Sequence, residues 1–384
     1  MAVYAIMGGT FDPIHAGHIA VARAVYEEFR PERVLFVPDG DPPHKICGAS
    51  AEDRLRMIEI ALRGETGIVP CDMEVRRAGT TYTVDTLTQL RREHPRDAFY
   101  YIVGADTLRV IETWKNFPRI SEILGGLFVV PRPGEENVQS MADALLKKYT
   151  LDIRFVDMES VDISSTDIRM RVARDMDIAG MVPLGVAEYI ASKRLYRDPT
   201  IEALRGLLSR DRFRHTIGVE REAVRMARIF GVDEEKASLA ALLHDCAKCM
   251  PEKEMRETIG RNLEVLIEPY ETAPQLLHAI AGTALAYERF GIRDKEILSA
   301  IRWHTTGCEA MSMLDKIVYL ADAIEPNRSP FPRLRKIRRL SETDLDAAVI
   351  ECAKCTREYV ASKGQTFNGR TNAMLRALKG AYKN

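Results

Sequence analysis

Apolar residues in the first half of the chain fall in short blocks, separated by stretches in which they recur every three to four positions. Residues 3–7 (Val-Tyr-Ala-Ile-Met), 34–37, 99–103, 127–130 and 153–156 are rich in β-branched and aromatic side chains, which predicts buried parallel strands. The periodic segments at 19–29, 52–63, 84–94, 138–149 and 184–193 predict amphipathic helices between them. This alternation predicts an open α/β sheet of Rossmann-like type over residues 1–196, with its ligand crevice at the carboxyl ends of the strands. Past Asp198-Pro199 the strand-like blocks cease, and residues 216–230, 234–246, 275–290, 294–303, 311–323, 344–363 and 371–382 all carry helical periodicity. Residues 197–384 are therefore expected to form a separate all-α bundle.

Composition narrows the partners. The chain has 384 residues, which is long for one core and comfortable for two. With 55 Lys and Arg against 56 Asp and Glu the net charge is -1, so no global basic field draws it to nucleic acid or to an anionic membrane. Phosphate binding must rest on local groups. The longest apolar runs, such as 127–130, are far too short to span a membrane, and a strand begins at the first residues without a charged and apolar leader, so a soluble cytoplasmic protein is expected. Seven dispersed cysteines fit reduced thiols. The C-x-x-C pairs Cys246/Cys249 and Cys352/Cys355 lie far apart in helical sequence without glycine-rich knuckles, and are read as coincidence rather than a zinc site.

The first chemistry lies at Gly8-Gly9-Thr10-Phe11-Asp12-Pro13-Ile14-His15-Ala16-Gly17-His18, directly after the first predicted strand. Strand, glycine turn and helix start make an anion site, because glycine lets the backbone approach phosphate oxygens and the free N–H groups favour negative charge. His15 and His18, three apart, share the first-turn face. Two imidazoles there would donate hydrogen bonds to a triphosphate as charge builds on its phosphorus, which points to nucleotidyl transfer without a nucleophilic side chain. A packing pair or a metal pair are the rivals; the nearest remaining histidine is His44.

Later segments follow in order: Pro42-Pro43-His44-Lys45, Thr81-Tyr82-Thr83-Val84-Asp85-Thr86-Leu87, Gly104-Ala105-Asp106, Trp114-Lys115, Pro131-Arg132 and Ile163-Ser164-Ser165-Thr166-Asp167-Ile168-Arg169. With the opening motif, these make residues 1–196 resemble bacterial nicotinate-nucleotide adenylyltransferases, which join ATP and nicotinate mononucleotide into deamido-NAD and pyrophosphate. The resemblance implies that His15 and His18 stabilise the transition state and that Ser165, Thr166 and Arg169 hold the triphosphate near Gly8, Gly9 and Thr10. It also implies that Lys45 reaches a phosphate, that Thr83 and Trp114 surround the nicotinate ring, and that Gly104, Asp106 and Arg132 lie around the nucleotide. In-line attack on the α-phosphorus is normally helped by Mg²⁺ bridging the phosphates of ATP.

In the helical half His215, His244-Asp245, His278, His304 and Asp322 form a dispersed set, each part drawn from a different predicted helix. Adjacent His and Asp on a helix point about 100° apart, which would let the Asp bridge two metals while the His binds one. Together they predict a metal site. The segments His215-Thr216-x-Gly218-Val219, Ala241-Leu242-Leu243-His244-Asp245-x-Ala247-Lys248, Ile301-Arg302-Trp303-His304-Thr305-Thr306-Gly307 and Tyr319-Leu320-Ala321-Asp322-x-Ile324-Glu325-Pro326-Asn327-Arg328 resemble HD-domain phosphohydrolases, more narrowly those that split diadenosine tetraphosphate symmetrically into two ADP. His278 with Gly282 is the weaker match, and Cys246 and Cys249 beside the His-Asp pair depart from the pattern. The resemblance implies two metal ions, iron in the first place, with manganese or zinc also suited to His and Asp donors. Lys248, expected to act beside Asp245, and Thr305, Thr306 and Arg328 are expected to face the same cleft and hold the nucleotide. The expectation is a bifunctional enzyme acting on ATP, nicotinate mononucleotide and a dinucleoside polyphosphate. A non-hydrolytic nucleotide-sensing module, another hydrolase substrate, or nicotinamide mononucleotide in the first half are the alternatives. The oligomeric state stays open, a homo-oligomer included.

Overall fold

A computed structural model describes residues 1–42, 47–131, 137–262, 274–364 and 368–381. The chain divides into two compact units, Met1–Arg197 and Asp198–Asn384.

In the first unit the elements run β1 (Val3–Gly9), α1 (Ala16–Phe29), β2 (Arg33–Pro38), α2 (Ala51–Ala61), β3 (Ile68–Pro70), α3 (Thr83–Glu93), β4 (Ala98–Gly104), α4 (Phe117–Ile123), β5 (Gly126–Val130), α5 (Val138–Tyr149), β6 (Asp152–Phe155), α6 (Ser165–Ala173) and α7 (Leu184–Lys193). The six strands form one parallel sheet in the order β3-β2-β1-β4-β5-β6. Side chains alternate between its faces: Ala5, Tyr100, Ile102 and Phe128 enter one core, Ile6, Phe99, Val103 and Leu127 the other. Strand order reverses between β1 and β4, so the crevice for a ligand opens where β1 ends in Gly8 and Gly9. The expected α/β sheet is present. β3 is an addition to it, and α1 begins at Ala16 rather than 19 because His15 is already its N-cap.

The second unit is entirely helical among its described residues: α8 (Pro199–Leu207), α9 (Arg210–Phe230), α10 (Glu234–Leu243), α11 (Glu252–Arg261), α12 (Leu277–Arg289), α13 (Lys295–Trp303), α14 (Met313–Ile324), α15 (Leu334–Leu340), α16 (Leu345–Ser362) and α17 (Gly369–Ala381). Helix α9 packs on α10 and α14, and α13 packs on α10, α12 and α14. One helix expectation fails locally. α10 stops at Leu243, so His244 is its C-cap and Asp245 lies in the turn beyond, not on a helix carried to residue 246. Cys246 and Cys249 fall in that turn as well. No described helix is long and apolar enough to cross a membrane.

Candidate functional site

The turn after β1 is held by partners far along the chain. Gly8 cannot carry a side chain, because a Cβ there would run into the Tyr101 hydroxyl on β4. Arg54 of α2, 1% exposed, donates to the carbonyls of Thr10 (2.8 Å) and Gly40 (3.0 Å). The Asp12 carboxylate accepts from Gly48 N–H (2.7 Å), Ala49 N–H (3.1 Å) and the Tyr196 hydroxyl (2.8 Å). Burial and the neighbouring Asp12 charge push the Tyr196 phenol far above its ordinary value, so it stays a donor. His15 and His18 stack with centroids 3.6 Å apart. His15 N–H donates to His18 Nδ1 at 3.3 Å, which leaves the His18 proton on Nε2, the nitrogen able to donate to a ligand.

The start of α6 meets this turn. Ser165 donates to the Pro13 carbonyl (2.9 Å), and Arg169 donates to the Asp12 carbonyl (2.7 Å) and to Thr166 Oγ1 (3.2 Å), while Ser164 caps the helix. Two helix N-termini, two imidazoles and a guanidinium therefore share one place, as a polyphosphate requires. Beside it, Thr83 opens α3 and hydrogen-bonds Tyr101, whose ring meets Trp114 edge-on at 5.4 Å. Gly104 ends β4, and just beyond it the exposed Asp106 accepts from Thr107 N–H (3.0 Å). Lys45 and Arg132 lie outside the described residues. Sequence reading took Tyr101 as strand core; its alternation onto the Gly8 side of β4 is the signal it missed.

The second unit gathers its six expected ligands. His215 comes from α9, His244 and Asp245 from the turn that follows α10, His278 from α12, His304 from just past α13 and Asp322 from α14. Three overlapping triads have all donor atoms within 4.8 Å: His215, His244 and Asp245; His244, His304 and Asp322; Asp245, His278 and His304. Asp245 belongs to two of them. Its Oδ1 lies 3.2 Å from His278 Nε2 and 3.5 Å from His304 Nε2, and its Oδ2 lies 3.4 Å from His244 Nε2. One carboxylate thus turns an oxygen to each side, in a turn rather than on a helix.

The imidazoles are oriented from behind. His244 Nδ1–H donates to the Ala241 carbonyl (2.6 Å) and His304 Nδ1–H to the Ile301 carbonyl (2.8 Å), which leaves each Nε2 with its lone pair toward the cluster. Those Nε2 atoms and Asp245 Oδ1 are buried without a hydrogen-bond partner. Such atoms are costly to bury unless something accepts their lone pairs, so the donor set fits divalent metal. Burial, with the charges nearby, lowers His278 to about 3, which keeps it neutral as a ligand must be. Burial works against the Asp245 charge, yet His244 and His304 hold it well below the usual carboxylate range.

Lys248 Nζ sits 3.0 Å from His278 Nε2 and 3.9 Å from Asp245 Oδ1. Thr305 and Thr306 follow His304 in the next turn, where Thr306 donates to the Gly307 carbonyl at 3.0 Å. Arg328 is exposed six residues past Asp322, beyond the end of α14, near enough to Lys248 for its charge to disfavour that of the lysine. Two residues escaped the sequence reading. Arg212 donates to Asp245 Oδ2 at 2.8 Å, and Glu325, 2% exposed, accepts from His215 Nδ1 at 3.2 Å and Asn327 N–H at 2.6 Å. Both were findable at helical spacing, Arg212 three before His215 and Glu325 three after Asp322. Among the described residues no cysteine joins a candidate metal cluster.

Comparison with known proteins divides the chain at the same place. Residues 6–171 match the cytidylyltransferase-like family model and residues 212–327 the HD domain model. A protein of Syntrophotalea carbinolica named "Probable nicotinate-nucleotide adenylyltransferase" is 38% identical over 50% of this chain and 96% of its own. The symmetrical bis(5'-nucleosyl)-tetraphosphatase of Bacillus subtilis is 39% identical over 44% of this chain and 90% of its own. A Mycoplasma genitalium protein named "Probable nicotinate-nucleotide adenylyltransferase/Ap4A hydrolase" is 26% identical over 84% of this chain and 87% of its own, in the same fused arrangement.

Proposed function

The chain belongs to the nicotinate-nucleotide adenylyltransferases through its first half and to the HD-domain symmetrical bis(5'-nucleosyl)-tetraphosphatases through its second, and on that premise we propose that it is a bifunctional enzyme. Residues 1–196 transfer the adenylyl group of ATP to nicotinate mononucleotide, giving deamido-NAD and pyrophosphate. Residues 197–384 split diadenosine tetraphosphate into two ADP. One observation carries the reading: a single chain holds two phosphate sites of opposite design, one of backbone amides, imidazoles and a guanidinium, the other of buried ligand atoms that face one another.

In the transferase half the residues position and neutralise. The amides after Gly8 and at the start of α6, with Ser165, Thr166 and Arg169, fix the triphosphate; Mg²⁺ arrives with ATP. His18 Nε2–H donates to the α-phosphate oxygens as the attacking mononucleotide phosphate brings in charge, and stacked His15 holds that ring in place. Thr83 and Trp114 take the pyridine ring, with Tyr101 fixing the Thr83 hydroxyl.

In the hydrolase half His215, His244, Asp245, His278, His304 and Asp322 would hold two divalent ions. The resemblance to the HD-domain hydrolases points to iron, and nitrogen and carboxylate donors without thiolate also suit manganese or zinc. Such ions supply Lewis acidity and a water acidic enough to attack phosphorus near neutral pH. Lys248 and Arg212 bind phosphate oxygens from either side of Asp245, and Glu325 holds the tautomer of His215. Substrates of NAD synthesis and seven cysteines outside any disulfide favour a cytoplasmic protein.

The test is a product profile of the purified full-length protein. With ATP, nicotinate mononucleotide is expected to yield deamido-NAD and pyrophosphate faster than nicotinamide mononucleotide yields NAD. With iron or manganese, diadenosine tetraphosphate is expected to yield ADP alone. ATP plus AMP as products would refute symmetrical cleavage, and saturable binding without ADP release would make the helical half a nucleotide sensor.

A further inference from the structure

Two residues of the first unit stand next to the proposed pyridine site and have no part in the reaction as described. Lys115 comes directly after Trp114, and Tyr82 directly before Thr83. The two meet: Lys115 Nζ lies 3.5 Å from the centroid of the Tyr82 ring. Tyr101 bridges the same two segments, through its hydrogen bond with Thr83 and its edge-on contact with Trp114. Lys115 is exposed, and among the described residues no carboxylate forms an ion pair with it. Glu112, three residues earlier, is engaged by Lys148 (2.6 Å) and by the Tyr149 hydroxyl (2.7 Å). Asp85, in the first turn of α3, is exposed and makes no ion pair with Lys115. Tyr82 is the N-cap of α3 and gives it no side-chain hydrogen bond, so the positive end of that helix lies beside the ammonium without a side-chain cap.

We propose that Lys115 is a specificity-determining residue of the transferase: its ammonium, steadied on the Tyr82 ring, takes the carboxylate of nicotinate mononucleotide and so selects it over the uncharged nicotinamide form. The proposal rests on the transferase reading above and names the group that enforces its choice of pyridine. The two mononucleotides differ only in carrying a carboxylate or a carboxamide on that ring. Hydroxyls and backbone amides can bond to either, whereas an ammonium has three donors, no acceptor and a full charge, and favours the carboxylate. The aromatic seat matters here. A carboxylate in place of the Tyr82 ring would neutralise the lysine, but the ring face holds a cation and leaves its charge for a ligand. The pyridine substituent is remote from the reacting phosphorus, so its contact is the same in the ground and transition states. Lys115 therefore acts on KM rather than kcat.

The test compares the full-length wild type with Lys115→Met, Lys115→Arg and Lys115→Glu on both mononucleotides at saturating ATP. Lys115→Met is expected to lower the ratio of kcat/KM for the nicotinate form to that for the nicotinamide form about ten-fold, the loss falling on KM for the nicotinate form. Lys115→Arg, which keeps the charge, is expected to retain most of the preference, and Lys115→Glu to lose more of it than Lys115→Met. Added salt is expected to reduce the wild-type ratio more than that of Lys115→Met. A Lys115→Met protein with the wild-type ratio, or with equal losses on both substrates, would overturn the proposal. A wild type that prefers nicotinamide mononucleotide would also overturn it and leave adenylyl transfer standing. A wild type that adenylylates neither mononucleotide would refute the transferase reading and the proposal with it.

Discussion

Gly218→Ala separates the chemistry of the second site from its stability. On α9, alanine in place of a mid-helix glycine is worth about 1 kcal/mol of helix propensity, so on backbone grounds alone the variant should be more stable. The Cβ of an alanine there would collide with the Glu325 carboxylate and stand 3.3 Å from the Asn327 amide nitrogen. Glu325 cannot swing aside freely: it is 2% exposed and tied to Asn327 N–H and His215 Nδ1. Overpacking of this kind costs about 1–3 kcal/mol, which leaves a net destabilisation of roughly 0–2 kcal/mol. The larger effect is local. Displacing the carboxylate that orients a ligating histidine lowers metal affinity about 10–100-fold. Chelator competition would measure that affinity, urea unfolding in EDTA the stability of the metal-free protein, and ADP release the hydrolysis. Adenylyl transfer, carried by the other unit, serves as the internal control and is expected to be unchanged. A Gly218→Ala protein that binds metal like wild type and is stabilised by the full ~1 kcal/mol would refute the reasoning, because Glu325 would then have moved without consequence.

His18→Ala is expected to keep the fold and lower adenylyl transfer on the order of 10²–10³-fold, as for the loss of one transition-state donor, in a coupled pyrophosphate assay; near-normal turnover would reject the role of that imidazole. His244→Ala is expected to lose both metal and ADP release while transferring adenylyl groups normally, and stoichiometric metal in the variant, read by mass spectrometry, would count against it as a ligand. In α16, hydrogen bonds from Lys354 and Lys336 hold Glu351 down to about 2, against an ordinary value of 4.5. A depressed carboxylate contributes stability that is present above its unfolded value and is lost as pH falls through the folded one. Glu351→Gln should therefore be less stable at neutral pH and should lose less stability between pH 5 and 2, measured by circular dichroism of urea unfolding; parallel acid limbs for the two proteins would show that the pair contributes nothing.

Periodicity was a good guide where elements are long and a poor one where side chains decide the ends. The runs at 3–7, 34–37 and 127–130 are strands because buried parallel strands need apolar residues on both faces. β3 escaped notice because three residues ending in Pro70 carry no period to detect. The reading of α10 ran past Leu243 because residues 244–246 still look helical, but the His244 side chain bonds back to the Ala241 carbonyl and the chain turns. Ligand residues were legible as types, since His and Asp in apolar helices stand out. Arg212, Glu325 and Tyr101 show in the sequence only as positions, three before His215, three after Asp322 and on the Gly8 face of β4, because the partner each acts through lies on another element.

Asp12 bears on how the protein is made. Its carboxylate waits for amides at residues 48 and 49 and for the hydroxyl of Tyr196, 184 positions downstream. During synthesis this loop leaves the ribosome well before residue 196, yet its last fastening arrives only when the final turn of the same unit emerges. The turn that opens the transferase is thus among the last parts of its unit to become rigid. A nascent chain cut short of residue 196 would hold every phosphate-directed group named for that unit and still lack the clasp that aligns them.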